Sequence, residues 1–190
     1  MKNIPALDPK VLDLVTEISK EPKVEAAMAF IKDQTEVAMQ EQIELCEIEA
    51  PTFHEEKRAA SVAERMKLYG LTDVHIDEIG NVIGIRKGTG NGPVLAIGAH
   101  MDSVFPAGTD VKVKKEGNIY RAPGIGDNCS GLRALLQVLR AMEKEDIRTV
   151  GDIWFVGTVG EEGNGDIRGS KHLCANNKLD GFVAIDSTDV

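Results

Sequence analysis

Four short stretches of this 190-residue sequence carry side chains that could do chemistry together. His100-Met101-Asp102 follows one apolar run, Gly160-Glu161-Glu162-Gly163 follows a second, and Asp186 closes a third. A loop, Ala122-Pro123-Gly124-Ile125-Gly126-Asp127-Asn128, delivers Asp127 to the start of a leucine-rich segment. Ligands of open α/β sheets gather beyond the carboxyl ends of the strands. If the apolar runs are strands, one imidazole and five carboxylates therefore point toward a single sheet edge. Each group alone has an ordinary structural use: a hydrogen-bonded histidine, a helix cap at Asp127, a solvated turn at Glu161-Glu162, a turn former at Asp186. Together they are harder to explain, because five like charges repel strongly unless a cation neutralises them. Imidazole with carboxylates and no thiolate suits zinc, with cobalt or manganese as substitutes. The number of acids points to two ions roughly 3.5–4 Å apart that share one carboxylate. Asp102, two residues beyond His100, is placed to accept the other imidazole N–H and fix the ring. Neighbours in Glu161-Glu162 point in different directions, so one can ligate while the other serves as general base.

The elements that must position these groups are legible in the spacing. The first fifty residues read as helical, with Val24, Met28, Ile31, Thr35, Ala38 and Gln42 on one face and Ala27, Val37 and Leu45 beside it. Pro51 breaks the chain, and Thr52 with Glu55 predicts a capping box opening a helix that Gly70 closes. Val74, Ile76 and then Val82, Ile83, Ile85 predict a hairpin turning at Gly80-Asn81. The run from Val94 to Ala99 lacks alternation, as a strand buried on both faces does. A second hairpin is expected from Val111 to Tyr120, and a helix between Asn128 and Glu143 on the stripe Leu132, Leu135, Leu136, Leu139, Met142. Asp152 to Val159 is another buried strand, Gly169 to Ala175 a short helix, and Gly181 to Ile185 a third buried strand. That rhythm predicts an α/β fold: a mostly parallel, mixed sheet with helices on both faces.

Composition narrows the function classes. The net charge of -9 speaks against nucleic acid as the main partner, since Lys112, Lys114 and Lys115 form the only tight basic run. No apolar stretch approaches the ~18 residues of a membrane-spanning helix. The stretch Met1 to Lys10 lacks the apolar core of a signal peptide, so a cytoplasmic location is expected. Cys46, Cys129 and Cys174 have no CxxC spacing and read as reduced thiols. Gly88-Thr89-Gly90-Asn91-Gly92 lacks the Lys-Ser/Thr ending of a phosphate loop and reads as a turn.

The ordered pattern His100-x-Asp102, Gly124-x-Gly126-Asp127-Asn128-x-x-Gly131, Glu161-Glu162-Gly163 and Asp186 resembles the M20 metallopeptidase family. That family includes carboxypeptidase G2-like enzymes, peptidase T, and acetylornithine and succinyl-diaminopimelate deacylases. The likeness runs from about Ala50 to Asp186. It implies a zinc-peptidase-like catalytic domain in which His100 and Asp186 hold one zinc, Glu162 the other, and Asp127 bridges both. Glu161 would be the general base and Asp102 would orient His100. The implied reaction is hydrolysis of peptide bonds in small peptides by a zinc-bound hydroxide. Deacylation of N-acyl amino acids, and a non-catalytic fragment, are the alternatives. Family members are much longer: after the strand near Asp186 they insert a lid that usually forms a homodimer, and a late histidine then completes the Glu162 zinc. His54, His75 and His172 all precede that point. The expected organisation is therefore a helical segment, residues 1–50, packing on the N-terminal part of the catalytic domain, residues 51–190, with the lid and C-terminal part absent. Such a chain is expected to be weak or inactive alone.

Overall fold

The structure is a computed structural model and describes residues 8–187. Residues 1–7, which belong to the Met1–Lys10 stretch read above, and residues 188–190 lie outside the described residues. Three helices open the chain: α1 Pro9–Ser19, α2 Pro22–Asp33 and α3 Thr35–Cys46. The expected single stripe is interrupted at Gln34, which ends α2 and precedes α3. That interruption resets the helical phase, so Ala27, Ala38, Gln42 and Leu45 are buried whereas Met28 and Val37 face solvent. Helix α4, Glu56–Leu68, buries Ala59, Val62, Ala63 and Met66.

The central sheet has five strands: β1 Asp73–Ile76, β2 Val82–Arg86, β3 Leu95–His100, β6 Ile153–Thr158 and β7 Gly181–Ala184, in the order β1-β2-β6-β3-β7. Between β3 and β6 in sequence, β4 Lys114–Glu116 and β5 Ile119–Arg121 form a separate hairpin. Strands β6, β3 and β7 run parallel, and the β1–β2 hairpin joins β6 antiparallel. The parallel strands are connected by helix α5, Cys129–Lys144, and helix α6, Arg168–Asn176. All three parallel strands therefore deliver their carboxyl ends to one edge.

Alternation along the strands separates two apolar layers. Val82, Ala99, Ile153 and Phe155 pack with α4 and α5, while Ile83, Ala96 and Val156 pack with Leu173 of α6 on the opposite face. Leu132, Leu135, Leu136 and Leu139 are fully buried on α5. Each such side chain contributes about 1.5–3 kcal/mol relative to exposure, which fixes the helix that begins beside Asp127. Among the described residues, no helix is long and apolar enough to cross a membrane. The three cysteines are unbridged: Cys46, at the end of α3, and Cys129, at the start of α5, are buried in the core, and Cys174 is exposed.

Candidate metal centre

The strand ends bring the expected groups together. His100 terminates β3, Glu161-Glu162 follows β6, Asp186 lies just beyond β7, and Asp127 precedes α5. The buried His100 ring places Nε2 2.9 Å from Asp127 Oδ1, 3.7 Å from Asp186 Oδ1 and 4.0 Å from Glu161 Oε2. His100, Asp127 and Glu162 each offer a ligand atom, and these atoms lie within 4.8 Å of one another. On its other side the ring meets Asp102. Nδ1 lies 3.1 Å from the Asp102 backbone carbonyl and 3.4 Å from its carboxylate Oδ1. The closer acceptor is thus the main chain of Asp102, not the carboxylate that the spacing suggested.

The Asp102 carboxylate has further work. It is fully buried and accepts the backbone N–H groups of Glu161 at 2.9 Å and Glu162 at 3.1 Å, and the Thr52 hydroxyl at 2.9 Å. Burial opposes its charge, but the bonds from His100, Glu161, Glu162 and Thr52 outweigh that and hold the carboxyl at about 2. For His100 burial likewise opposes charge, yet the Asp102 hydrogen bond and the charges of Asp102, Asp186 and Asp127 raise the imidazole to about 9. Glu161 and Glu162 are both raised above the ordinary carboxylate range, first by burial and then by neighbouring acids, Asp186 for Glu161 and Asp127 for Glu162. Neighbouring acids thus add to the cost of ionising Glu161 and Glu162, and the charge of His100 offsets part of it.

Several buried polar residues that pattern reading did not assign to the centre hold its strand ends in place. Thr52 and Glu55 form no capping box: α4 begins at Glu56 with no side-chain cap. Thr52 instead donates to Asp102, and Glu55 accepts the Gly160 backbone N–H at 2.9 Å and pairs with Arg168 at 3.3 Å. Gly160 takes φ +57, and a Cβ there would run into the Arg168 side chain, so glycine is required where the loop turns toward Glu161. Asn81, fully buried, accepts the Val159 N–H and donates to the Gly169 carbonyl. Arg58, also buried, donates to Leu45, Cys46 and Ile48 carbonyls at the end of α3 and to the Met101 carbonyl at 2.7 Å. Asn128, rather than Asp127, caps α5: its Oδ1 accepts the Gly131 N–H, and its Nδ2 donates to Ile185 at 2.9 Å. That frees the Asp127 carboxylate for His100 and ties it to the strand end carrying Asp186.

The donor set fits a divalent transition metal: one imidazole nitrogen and several carboxylate oxygens aimed at a common volume. His75 faces Asp73 and His172 faces Glu78, and the donor cluster among the described residues contains no imidazole besides His100.

Comparison with known proteins shows likeness in sequence and in fold. Residues 96–189 match the model of peptidase family M20/M25/M40. The chain belongs to this family. Among curated M20-like relatives, a candidate LysW-lysine/LysW-ornithine hydrolase of Pyrococcus abyssi is 35% identical over 120 residues, covering 63% of this chain and 32% of that protein. A tripeptidase from Staphylococcus aureus superposes with a TM-score of 0.66 at 31% identity, covering 80% of this chain and 43% of its own. The aminopeptidase PepT from Bacillus cereus gives a TM-score of 0.69 at 25% identity, with 81% and 44% covered. Human carnosine dipeptidase 1 shares the fold at 13% identity, with a TM-score of 0.70. The chain spans about a third of the length of the curated relative and under half of either bacterial peptidase.

Proposed function

We propose that the chain carries the metal-binding part of a hydrolase that cleaves peptide bonds in small peptides. In this reading two zinc ions, replaceable by cobalt or manganese, are held by His100, Asp127, Glu162 and Asp186. The supporting observation is the mutual approach of the His100, Asp127 and Glu162 ligand atoms to within 4.8 Å. His100 and Asp186 would hold one ion, Glu162 the other, and Asp127 would be shared. The ions supply Lewis acidity, polarising the scissile carbonyl and acidifying water at neutral pH.

The protein's own groups do the rest. Glu161 is the general base: its carboxylate takes a proton from attacking water and hands it to the leaving amine. Its raised pKa suits both transfers, because a base poised nearer neutrality gives the proton back more readily. Asp102 fixes the His100 ring and, through two backbone bonds, the separation of Glu161 from Glu162. With one imidazole in the cluster, this chain alone is a weak catalyst.

The test is hydrolysis of Leu-Gly-Gly by the zinc-loaded chain. Turnover is expected to be slow but measurable, and Glu161→Gln is expected to lower it by about 10²-fold or more while zinc uptake persists. Equal rates for Glu161→Gln and wild type contradict the reading. Identity to the candidate LysW-lysine/LysW-ornithine hydrolase favours a second reading, deacylation of N-acyl amino acids. Faster turnover of N-acetylornithine than of the tripeptide supports that one.

A further inference from the structure

Beside Glu162 the surface sinks into a hollow of about 330 Å³ between the loops around Phe53, Phe105 and Asn164. This volume is at the lower end of the ~300–1,000 Å³ typical of small-ligand sites. Its walls are mainly apolar, formed by Pro51, Phe53, Val104, Phe105 and Pro106, and Glu162 is its one charged lining group among the described residues. Three of those side chains are large hydrophobics left in solvent: Phe53 is 49% exposed, Val104 63% and Phe105 36%. Clustered exposed apolar groups of this kind mark binding surfaces more often than scattered ones do.

The loop that presents Phe53 is held unusually. Phe53 has φ 74, a left-handed conformation that bulky residues rarely adopt. It persists because the neighbours are anchored: Thr52 bonds Asp102, Pro51 bridges Ser103, and the His54 N–H returns to the Pro51 carbonyl at 2.8 Å. The same anchors tie the apolar wall to the residues that position His100 and Glu162. Backbone strain maintained beside a reaction centre points to a functional use of the side chain it aims.

We propose that this hollow is a specificity subsite that takes an apolar side chain, such as leucine, methionine or phenylalanine, of the residue adjoining the scissile amide. The inference rests on the reading of His100, Asp127 and Glu162 as the reaction centre, which puts Glu162 on the wall shared by the two. An acidic side chain finds no cationic side chain among the described residues of this wall, and glycine leaves the apolar wall in water.

The experiment is a ¹H–¹⁵N NMR titration of the 190-residue chain with Leu-Gly-Gly, Gly-Gly-Gly and Asp-Gly-Gly, run with and without zinc chloride. Leu-Gly-Gly is expected to shift the amides of Phe53, Val104 and Phe105 and to bind on the order of tenfold more tightly than Gly-Gly-Gly. Val104→Ala and Phe105→Ala, both at exposed positions, should each bring the affinity for Leu-Gly-Gly down toward that for Gly-Gly-Gly while zinc uptake persists. Equal affinity for the three peptides, or shifts confined to other regions, overturns the subsite. The zinc arm separates the two claims. Zinc uptake without side-chain discrimination refutes the subsite alone. A leucine preference that maps to Val104 and Phe105 without zinc uptake leaves the subsite standing and refutes the reading of the centre.

Discussion

Asp102 Oδ1 accepts the backbone N–H of Glu161 at 2.9 Å while the same carboxylate lies 3.4 Å from the His100 ring. One buried acid therefore fixes both the imidazole at the end of β3 and the glutamate pair at the end of β6. With the bond from Glu162 and the Thr52 hydroxyl, three donors converge on it. The geometry of the centre depends on a residue that need not touch a metal at all.

Asp102→Ala removes the acceptor for those three donors. Each buried donor left unsatisfied costs about 1–3 kcal/mol, so the unfolding free energy should fall by roughly 3 kcal/mol or more in urea titrations. The glutamate loop loses both of its bonds and His100 keeps only the main-chain carbonyl of residue 102, which should weaken zinc binding about 10–100-fold by isothermal titration calorimetry. Asp102→Asn keeps one acceptor oxygen and should fall between wild type and alanine. An alanine variant with wild-type zinc affinity contradicts the positioning role.

Zinc uptake should release protons. With His100 raised to about 9, the metal-free protein carries a protonated imidazole at neutral pH, and a ligating nitrogen must surrender that proton. Affinity should therefore rise with pH, by up to about tenfold per unit, and level off above 9. Calorimetry in buffers of different ionisation enthalpy counts the protons. Release of about one proton from His100 at pH 7, fading through pH 9, is expected, and no release at pH 7 contradicts it. In the metal-free protein the same group stabilises the fold fully below its ordinary value of 6.5, and that contribution is lost as pH rises through about 9.

Glu55→Ala should destabilise the chain by roughly 2–3 kcal/mol, because the Gly160 N–H loses its acceptor and Arg168, which keeps its bond to the Ile79 carbonyl, loses its carboxylate. Glu55→Gln, which retains an acceptor for Gly160, should lose less. Urea unfolding of both variants measures the difference, and a neutral Glu55→Ala contradicts the clamp.

Asn128→Ala removes both the cap on α5 and the bond to Ile185. The cap alone is worth about 0.5–2 kcal/mol. The variant should lose that stability in thermal unfolding and also bind zinc more weakly, since Asp127 and Asp186 are no longer tied together. Lost stability with unchanged zinc affinity restricts Asn128 to capping.

The groups at the strand ends were legible in the sequence because each strand carries its own signal and its chemistry follows directly after it. His100, Asp127, Glu161, Glu162 and Asp186 need no long-range information beyond a parallel sheet. The supporting residues differ. Thr52-x-x-Glu55 satisfies a local helix-start pattern, but its partners lie 50 and 105 residues away, at Asp102 and Gly160, and tertiary bonding wins over the local cap. Asp127 and Asn128 are both good cap formers by type, and only the packing of α5 shows which of them turns back to Gly131. In the N-terminal helices the stripe was readable but its phase was not, because the break at Gln34 carries no glycine or proline to mark it. Arg58 and Asn81 gave no signal, since a lone arginine or asparagine in sequence does not show that it will be buried against main-chain carbonyls or amides.

The most direct test is anomalous diffraction at the zinc edge from crystals of the chain grown with zinc chloride. The account predicts two peaks at the carboxyl edge of the sheet, one within ligand distance of His100 Nε2 and Asp186, the other beside Glu162, with Asp127 reaching both. Zinc absent from this edge, or bound only at groups elsewhere on the surface, contradicts it.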